Sequence, residues 1–111
     1  MGLLSRSEEM VLITVWKLQE NAYGVTIANI LTKTSGKKWV LGAIYVPLER
    51  LEKKGYLTSY FGNSTSKRGG RSKRLYKLSK VGLKALIDTK NLEQSLWKGI
   101  SVDNLEKECE I

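Results

Sequence analysis

The sequence has no histidine, one cysteine and one proline. Histidine is the commonest general base and the commonest metal ligand, so its absence argues against most catalytic and metal sites. The carboxylates and the single thiol, Cys109, stand at no spacing typical of such sites. We therefore expect a protein that is not an enzyme and that holds neither a metal nor a cofactor. One cysteine cannot form an internal disulfide, so nothing indicates an oxidising compartment.

Long hydrophobic runs are missing as well. No stretch approaches the roughly 20 apolar residues that cross a bilayer, and the first residues lack the pattern of a secretory signal. These absences predict a cytoplasmic protein without a membrane partner. The chain has 111 residues, of which 41% are hydrophobic, and this is enough for one domain with its own core and one projecting helix.

Acidic residues are absent between Gly62 and Lys80. The net charge of the chain is +8, and most of it comes from this stretch because the remaining charges nearly balance. A local patch of this kind attracts polyanions through Coulomb forces and counterion release. Any single basic residue of this stretch could simply be a solvated surface residue, but the high density of basic residues favours a site that binds a polyanion. Its members are Lys67, Arg68, Arg71, Lys73, Arg74, Lys77 and Lys80.

Three helices are predicted in the first half of the chain. Ser5 and Glu8 have the spacing of a capping box that opens the first helix. The apolar run that follows needs cover on several sides. The second helix is predicted over Val25–Thr34 and the third over Leu41–Lys54, each ended by a glycine. Pro47 lies inside the third helix, where it predicts a slight bend.

A hairpin is predicted to follow the third helix. Residues 56–61 are rich in aromatic and β-prone types, and residues 73–78 alternate in polarity, as strands do. The segment between them contains Gly69 and Gly70 among short polar residues, which is typical of a loop. Its tip and its second strand carry the positive charge.

A fourth helix is predicted to follow Ser79 and to run to about Lys98, with an acidic tail after Val102. Its apolar residues form two faces, and a domain of this size covers only one of them. We expect the second face to pair with the first helix of another copy around a two-fold axis. The residues predicted at this homodimer interface are Val11, Val15, Leu83, Leu86 and Trp97.

Three helices, a strand, a basic loop and a strand form the order of a winged helix-turn-helix, in which the third helix lies in the major groove of DNA. We therefore predict an α+β fold, mostly α. Residues 1–80 would form a winged helix-turn-helix domain, and residues 81–111 a C-terminal dimerisation helix with an acidic tail. The predicted partner is double-stranded DNA. The candidate contact residues are Lys37, Lys38, Gly42, Tyr45, Val46, Arg50, Arg68, Gly69, Gly70, Arg71 and Lys73.

Two segments also resemble the PadR family of transcriptional regulators. Residues 41–57 are similar to the family's recognition-helix segment, and residues 68–79, with Gly82 behind them, to its wing and the start of the next helix. The pair Tyr23-Gly24 matches a further family feature. The resemblance covers most of residues 5–90, and the short C-terminal portion resembles the small subgroup with one dimerisation helix per subunit. Val40 stands where relatives commonly have a capping serine.

The resemblance implies a two-fold dimer that represses nearby genes and is often released from DNA by small aromatic or drug-like compounds. Trp16 and Trp97 are the candidates for a pocket that would hold such an effector. Tryptophans are more often core or interface residues, and that alternative stays open for both.

Three classes of function remain at this point. The first is a repressor that binds a palindromic operator as a homodimer. The second is a winged-helix module for protein or RNA without operator specificity. The third is an enzyme, for which the chain offers no pair of nucleophile and base. For Arg50 a guanine or phosphate contact and an exposed ion pair with Glu49 or Glu52 are equally favoured.

Overall fold

A computed structural model describes residues 3–62 and 73–110 of the chain. Within these ranges the fold is mostly helical with one two-stranded sheet, and this confirms the predicted class. In chain order the elements are α1 (Arg6–Leu18), a short 3₁₀ turn (Gln19–Asn21), α2 (Gly24–Ser35), α3 (Leu41–Lys53), β1 (Leu57–Phe61), β2 (Arg74–Leu78), α4 (Lys80–Trp97) and α5 (Val102–Cys109).

The predicted helix ends in the first half of the chain are confirmed to within one or two residues. The Glu8 N–H donates to Ser5 Oγ at 3.1 Å, and the Ser5 N–H donates to Glu8 Oε1 at 2.8 Å. Gly36 ends α2 in the left-handed conformation, with φ of 75°. Helix α3 starts after Val40, which supplies no side-chain cap, and continues through the buried Pro47.

The core lies between α1, α2, α3 and the hairpin of β1 and β2. It is built from aliphatic residues of the helices and from Leu57, Tyr76 and Leu78 of the hairpin. Val11 and Val15 are also in this core, with 0% and 2% of their surface exposed. The chain's own domain thus covers both valines. This burial corrects the expected place of Val11 at a subunit interface, whereas Val15 also lines a groove on the surface of the chain.

The hairpin is antiparallel, with Leu57 opposite Leu78 and Phe61 opposite Arg74. Tyr76 and Leu78 are buried while Lys77 is exposed, so the predicted alternation of β2 is confirmed. Strand β2 is also tied to the helices, because the Tyr76 N–H donates to the Ala22 carbonyl at 2.9 Å. This bond fixes the middle of β2 close to the residues that lead into α2.

Helix α4 begins at a close contact with the end of α3. Ser79 accepts a hydrogen bond from the Gly82 N–H at 3.0 Å and donates one to the Gly55 carbonyl at 2.6 Å. A Cβ atom at Gly82 would lie 2.1 Å from the Tyr56 carbonyl oxygen, so only glycine fits there. From this start, Leu83 and Leu86 pack against the core of the same chain. Both leucines remain partly exposed, so their place at a subunit interface stays a prediction.

The C-terminal part of the chain contains a second helix where an acidic tail was predicted. Gly99, with φ of 83°, separates α4 from α5, and Ser101 caps α5. We call residues 92–109 the arm. Its large apolar side chains are exposed, and they are Leu92, Leu96, Trp97, Ile100, Val102 and Leu105. Within the described residues, no helix combines the length and the apolar character needed to cross a membrane.

Candidate nucleic-acid interface

Helix α3 presents one face to the core and the opposite face to solvent. Ile44, Leu48 and Leu51 are fully buried and Pro47 is buried beside them, so the opposite side of the helix faces solvent. The candidates predicted from the sequence all lie there: Gly42, Tyr45, Val46 and Arg50 are exposed. Glu49 and Lys53 are exposed beside these candidates. Because the apolar side of α3 faces the core, this mixed polar side is the one that a nucleic acid can contact.

Arg50 keeps its guanidinium free of ion pairs with the other described residues. Of the two carboxylates that could have paired with it, Glu52 binds elsewhere. Its Oε1 accepts from Arg74 at 2.8 Å, and its Oε2 accepts from Ser59 at 2.5 Å. The Arg74–Glu52 pair therefore joins β2 to α3 and leaves the forked donors of Arg50 available for a base or a phosphate.

Lys37 and Lys38 lie between α2 and α3, and both are exposed. Close by, the Trp39 backbone N–H donates to Thr32 Oγ1 at 2.9 Å, and its indole N–H donates to Ser35 Oγ at 3.2 Å. These bonds fix the connection to the end of α2. The two lysines are thus held at the beginning of α3, where side chains commonly reach the DNA backbone.

The wing candidates divide into two groups. Arg68, Gly69, Gly70 and Arg71 lie outside the described residues. Lys73 is described, and its Nζ stands 4.5 Å from the centre of the Tyr23 ring and 3.4 Å from the Tyr23 hydroxyl. The structure therefore brings the base of the wing next to the start of α2.

Tyr45 is exposed at 45% of its surface, but its hydroxyl does not project freely from α3. It lies against α2, because a Cβ atom at Gly24 would be 2.9 Å from the Tyr45 hydroxyl oxygen. Sequence reasoning placed Tyr45 among the DNA contacts, whereas the resemblance alone drew attention to Tyr23-Gly24. The spacing of apolar residues cannot predict this contact between α2 and α3, because the contact depends on the absence of a side chain at Gly24.

Two buried carboxylates lie on α1, away from the face of α3. Burial alone raises the pKa of Glu8, but hydrogen bonds from Lys54 and Ser5 together with the Lys54 charge lower this pKa below its usual value. Lys54 Nζ is 2.8 Å from Glu8 Oε2. For Glu9, burial and the neighbouring Glu93 raise the pKa above its usual value, while Arg6 opposes them. These charges join α1 to α3 and to α4 and have no part in the interface.

A groove of about 680 Å³ lies beside α1, between the hairpin and the start of α4. Trp16 lines it, as the effector prediction required, but Trp97 is not among its lining residues. The lining consists of Val15, Trp16, Gln19, Glu20, Tyr60, Leu75, Lys77, Leu78 and Leu83. Among the described residues, the two tryptophans therefore do not both line this groove. In the described ranges, cysteine and carboxylate side chains form no cluster that could hold a metal ion.

Comparison with known proteins points to one family. The model of the transcriptional regulator PadR-like family matches residues 12–88. A PadR-like transcription factor from Bacteroides fragilis is 25% identical, with a TM-score of 0.71 and a match that covers 84% of each chain. A PadR family regulator from Eggerthella lenta DSM 2243 is also 25% identical, with a TM-score of 0.64 over 91% of this chain and 81% of that one.

A further solved structure supports the fold. A PadR family transcription regulator from Clostridium difficile R20291 is 24% identical, with a TM-score of 0.69 over 91% of this chain and 99% of that one. Among curated proteins, a search found no match. The family match includes most of α1, all of α2, α3 and the hairpin, and the first half of α4.

Proposed function

The chain belongs to the PadR-like family of transcriptional regulators, and from this premise we propose that it is a repressor that binds a palindromic operator as a homodimer. Helix α3 enters the major groove, and the wing contacts the backbone or the minor groove. The observation that carries the proposal is the solvent face of α3, where Arg50 lies beside Tyr45 and Val46 and forms no ion pair with any other described residue. Residues 1–80 then form the DNA-binding part and residues 81–111 the dimerisation part.

The bases within reach of α3 can be matched to its side chains. Arginine recognises guanine through two parallel hydrogen bonds, and Val46 offers an apolar contact to a thymine methyl group. Glu49 is an acceptor that fits the amino group of cytosine. Lys37 and Lys38 supply phosphate contacts that set the orientation of the helix without reading sequence.

The arm supports the homodimer. Its apolar side chains are exposed in the single chain, and Leu96 alone exposes 67% of its surface. Soluble monomers seldom leave a contiguous apolar patch of this kind in water. The groove beside α1 has a largely apolar lining that a second copy can fill, and a two-fold axis would place each arm on the other copy's groove.

The same pairing bears on the small aromatic effector. An arm docked in this way carries its Trp97 toward the groove that contains Trp16 of the other copy. The pocket predicted from the two tryptophans would then form between subunits rather than within one chain. An effector bound there would change the separation of the two copies of α3, and repression would be relieved by that change. The regulator acts in the cytoplasm, where it has access to the chromosome.

Selection of bound duplexes from a random DNA pool tests the proposal. We expect enrichment of one two-fold symmetric sequence, with half-sites about one helical turn, or ~34 Å, apart. Equal binding to all duplexes, or preferential binding to RNA in a competition assay, would favour the protein- or RNA-binding module instead. Enrichment of a single unrepeated half-site would contradict the homodimer while it leaves DNA binding intact.

A further inference from the structure

Three hydrogen-bond donors from different parts of the chain lie around the first turn of α2, two of them in contact with each other and the third against Gly24. They are the hydroxyl of Tyr23, the hydroxyl of Tyr45 and the ammonium group of Lys73. Tyr23 immediately precedes α2, Tyr45 projects from α3, and Lys73 immediately precedes β2. The three side chains are far apart in the sequence, and no pattern of residue types predicts that they lie around the same turn.

Lys73 and Tyr23 form the first part of the cluster. The Lys73 Nζ lies over the Tyr23 ring, 4.5 Å from its centre, and 3.4 Å from the Tyr23 hydroxyl oxygen. A ring contact restrains the long lysine side chain and keeps its charge at one place on the surface. No carboxylate among the described residues forms an ion pair with Lys73.

Tyr45 is the second part. Its ring lies over Gly24, where a Cβ atom would be 2.9 Å from the hydroxyl oxygen and 3.1 Å from the ring carbon that bears it. The hydroxyl of Tyr45 is thus brought to the residue that follows Tyr23. Gly24 is buried and does not have positive φ, so the reason for glycine at this position is the space that Tyr45 occupies.

The backbone holds the cluster together. The Tyr76 N–H donates to the Ala22 carbonyl at 2.9 Å and so keeps β2 beside the residues that lead into α2. The Tyr23 N–H donates to Thr26 Oγ1 at 3.0 Å and fixes the direction in which the tyrosine leaves the helix. The donors are therefore positioned before any ligand binds, and little ordering is needed on binding.

We propose that Tyr23, Tyr45 and Lys73 form a clamp for one phosphate of the DNA backbone, an inference that rests on the proposed function. Two neutral hydroxyl donors and one cation fit a phosphodiester, which has acceptor oxygens and a single negative charge. The cluster lies between the wing and α3, so the bound phosphate sets the distance between these two DNA-contacting elements. Tyr45 acts on the backbone and carries no sequence information.

Hydroxyl deletions and a charge deletion test the clamp separately. Tyr23→Phe and Tyr45→Phe keep the rings and should weaken binding to every duplex alike, each by about fivefold, as expected for one lost hydrogen bond. Lys73→Met should also flatten the plot of log affinity against log salt by about 0.9, the value for one phosphate contact. Tyr56→Phe and Lys84→Met are the matched controls, because neither side chain belongs to the cluster.

Gly24→Ala provides an independent variant, since its methyl group displaces the Tyr45 hydroxyl. Combined with Tyr45→Phe it should weaken DNA binding no further than either change alone, because both remove the same contact. Thermal unfolding of each variant confirms that the fold is kept.

The outcomes separate the clamp from the function on which it rests. If the unaltered protein binds DNA and the three single-residue variants bind as tightly with the same salt dependence, the clamp is wrong and the proposed function stands. If Tyr45→Phe changes only the preference among sequences, Tyr45 reads a base and the clamp is again wrong. If the unaltered protein binds no duplex, the proposed function fails and the clamp with it.

Discussion

Individual glycines of this chain differ in what surrounds the position that a side chain would occupy. At Gly24 and Gly82 a Cβ atom would meet another part of the protein, whereas at Gly42 no heavy atom lies within 4 Å. The obstacle at Gly24 is a side chain, which can move. The obstacle at Gly82 is the carbonyl of Tyr56, which the backbone holds in place. The three positions therefore differ in what a substitution would do.

Gly82→Ala is expected to lower the free energy of unfolding by about 1–3 kcal/mol, the usual effect of overpacking, because α4 must move away from Tyr56. Urea unfolding followed by circular dichroism measures the change. Gly42→Ala is the control, and it should leave the free energy of unfolding unchanged or raise it, since alanine is the better helix former. Equal stability of the two variants would show that α4 adapts to the added methyl group without loss.

The pair of Glu8 and Lys54 gives stability a dependence on pH. The pKa of Glu8 is lowered in the folded chain from its ordinary value of 4.5, so its contribution is present at neutral pH and is lost as the pH falls through the lowered value. Lys54→Met leaves the buried carboxylate without its cation. We expect the variant to be less stable than the parent by about 1–3 kcal/mol at neutral pH.

This difference should become smaller below pH 4.5, where protonation removes the unpaired charge of Glu8 in the variant and the ion pair in the parent. Urea unfolding of both proteins over a pH series follows the change. A difference that stays constant across the series would mean that Lys54 stabilises the chain through its hydrocarbon stem alone.

At the scale of elements, local signals in the sequence predicted most of the fold. Helix ends depend on interactions within a few residues, and the structure contains the ones that were predicted. They are the capping box of Ser5 and Glu8 at the start of α1 and the glycines Gly36 and Gly55 after α2 and α3. The stripe of α3 was predicted equally well because one buried face repeats at the helical period. Its exposed residues then follow by geometry, and with them the candidate interface on α3.

The two faces of α4 could not be assigned from the sequence. Periodicity shows that Leu83 and Leu86 differ in direction from Leu92 and Leu96, but it does not show which face meets the core. The close approach of Gly82 to Tyr56 decides this, since it turns Leu83 and Leu86 inward. Helix α5 was missed for a related reason: its start depends on the turn at Gly99, and its many charged residues resemble a solvated tail.

The role of α3 can be separated from simple charge attraction. Arg50→Ala should reduce the preference for the operator over random DNA by about 1–3 kcal/mol, the value of one lost bidentate base contact. Lys53→Ala removes the same charge from the same helix and should weaken binding to both kinds of DNA alike. Competition binding with the two duplexes measures both effects. Equal losses on operator and random DNA for Arg50→Ala would make Arg50 a phosphate contact.

The whole molecule is more extended than a compact domain of the same length. Its radius of gyration is 16.9 Å and its longest dimension 58 Å, whereas a compact domain of this size has a radius of about 13 Å. The arm is one part of the chain that carries large apolar side chains into solvent. A projecting apolar arm and an apolar groove on one chain are the parts that a reciprocal exchange between two copies requires.

Leu96→Glu is expected to give folded monomers with little affinity for the operator. Leu96 exposes 67% of its surface, so a charge there disturbs a partner and not the core. Leu86 packs against the core of its own chain, and a charge at Leu86 would unfold the domain instead. Gln94→Glu, an exposed change in the same helix, is the control. Sedimentation that shows a dimer of Leu96→Glu would remove the arm from the interface.

The bond from the Tyr76 N–H to the Ala22 carbonyl has a consequence for the order of folding. It joins two residues that are far apart in the sequence, so a long stretch of chain must be closed before it forms. Contacts within the helices require no such closure and form on a faster timescale. During refolding the Tyr76 amide should therefore gain protection from exchange with heavy water later than the amides of α1 do. Pulsed labelling resolves the two, and simultaneous protection would mean that the hairpin belongs to the folding nucleus.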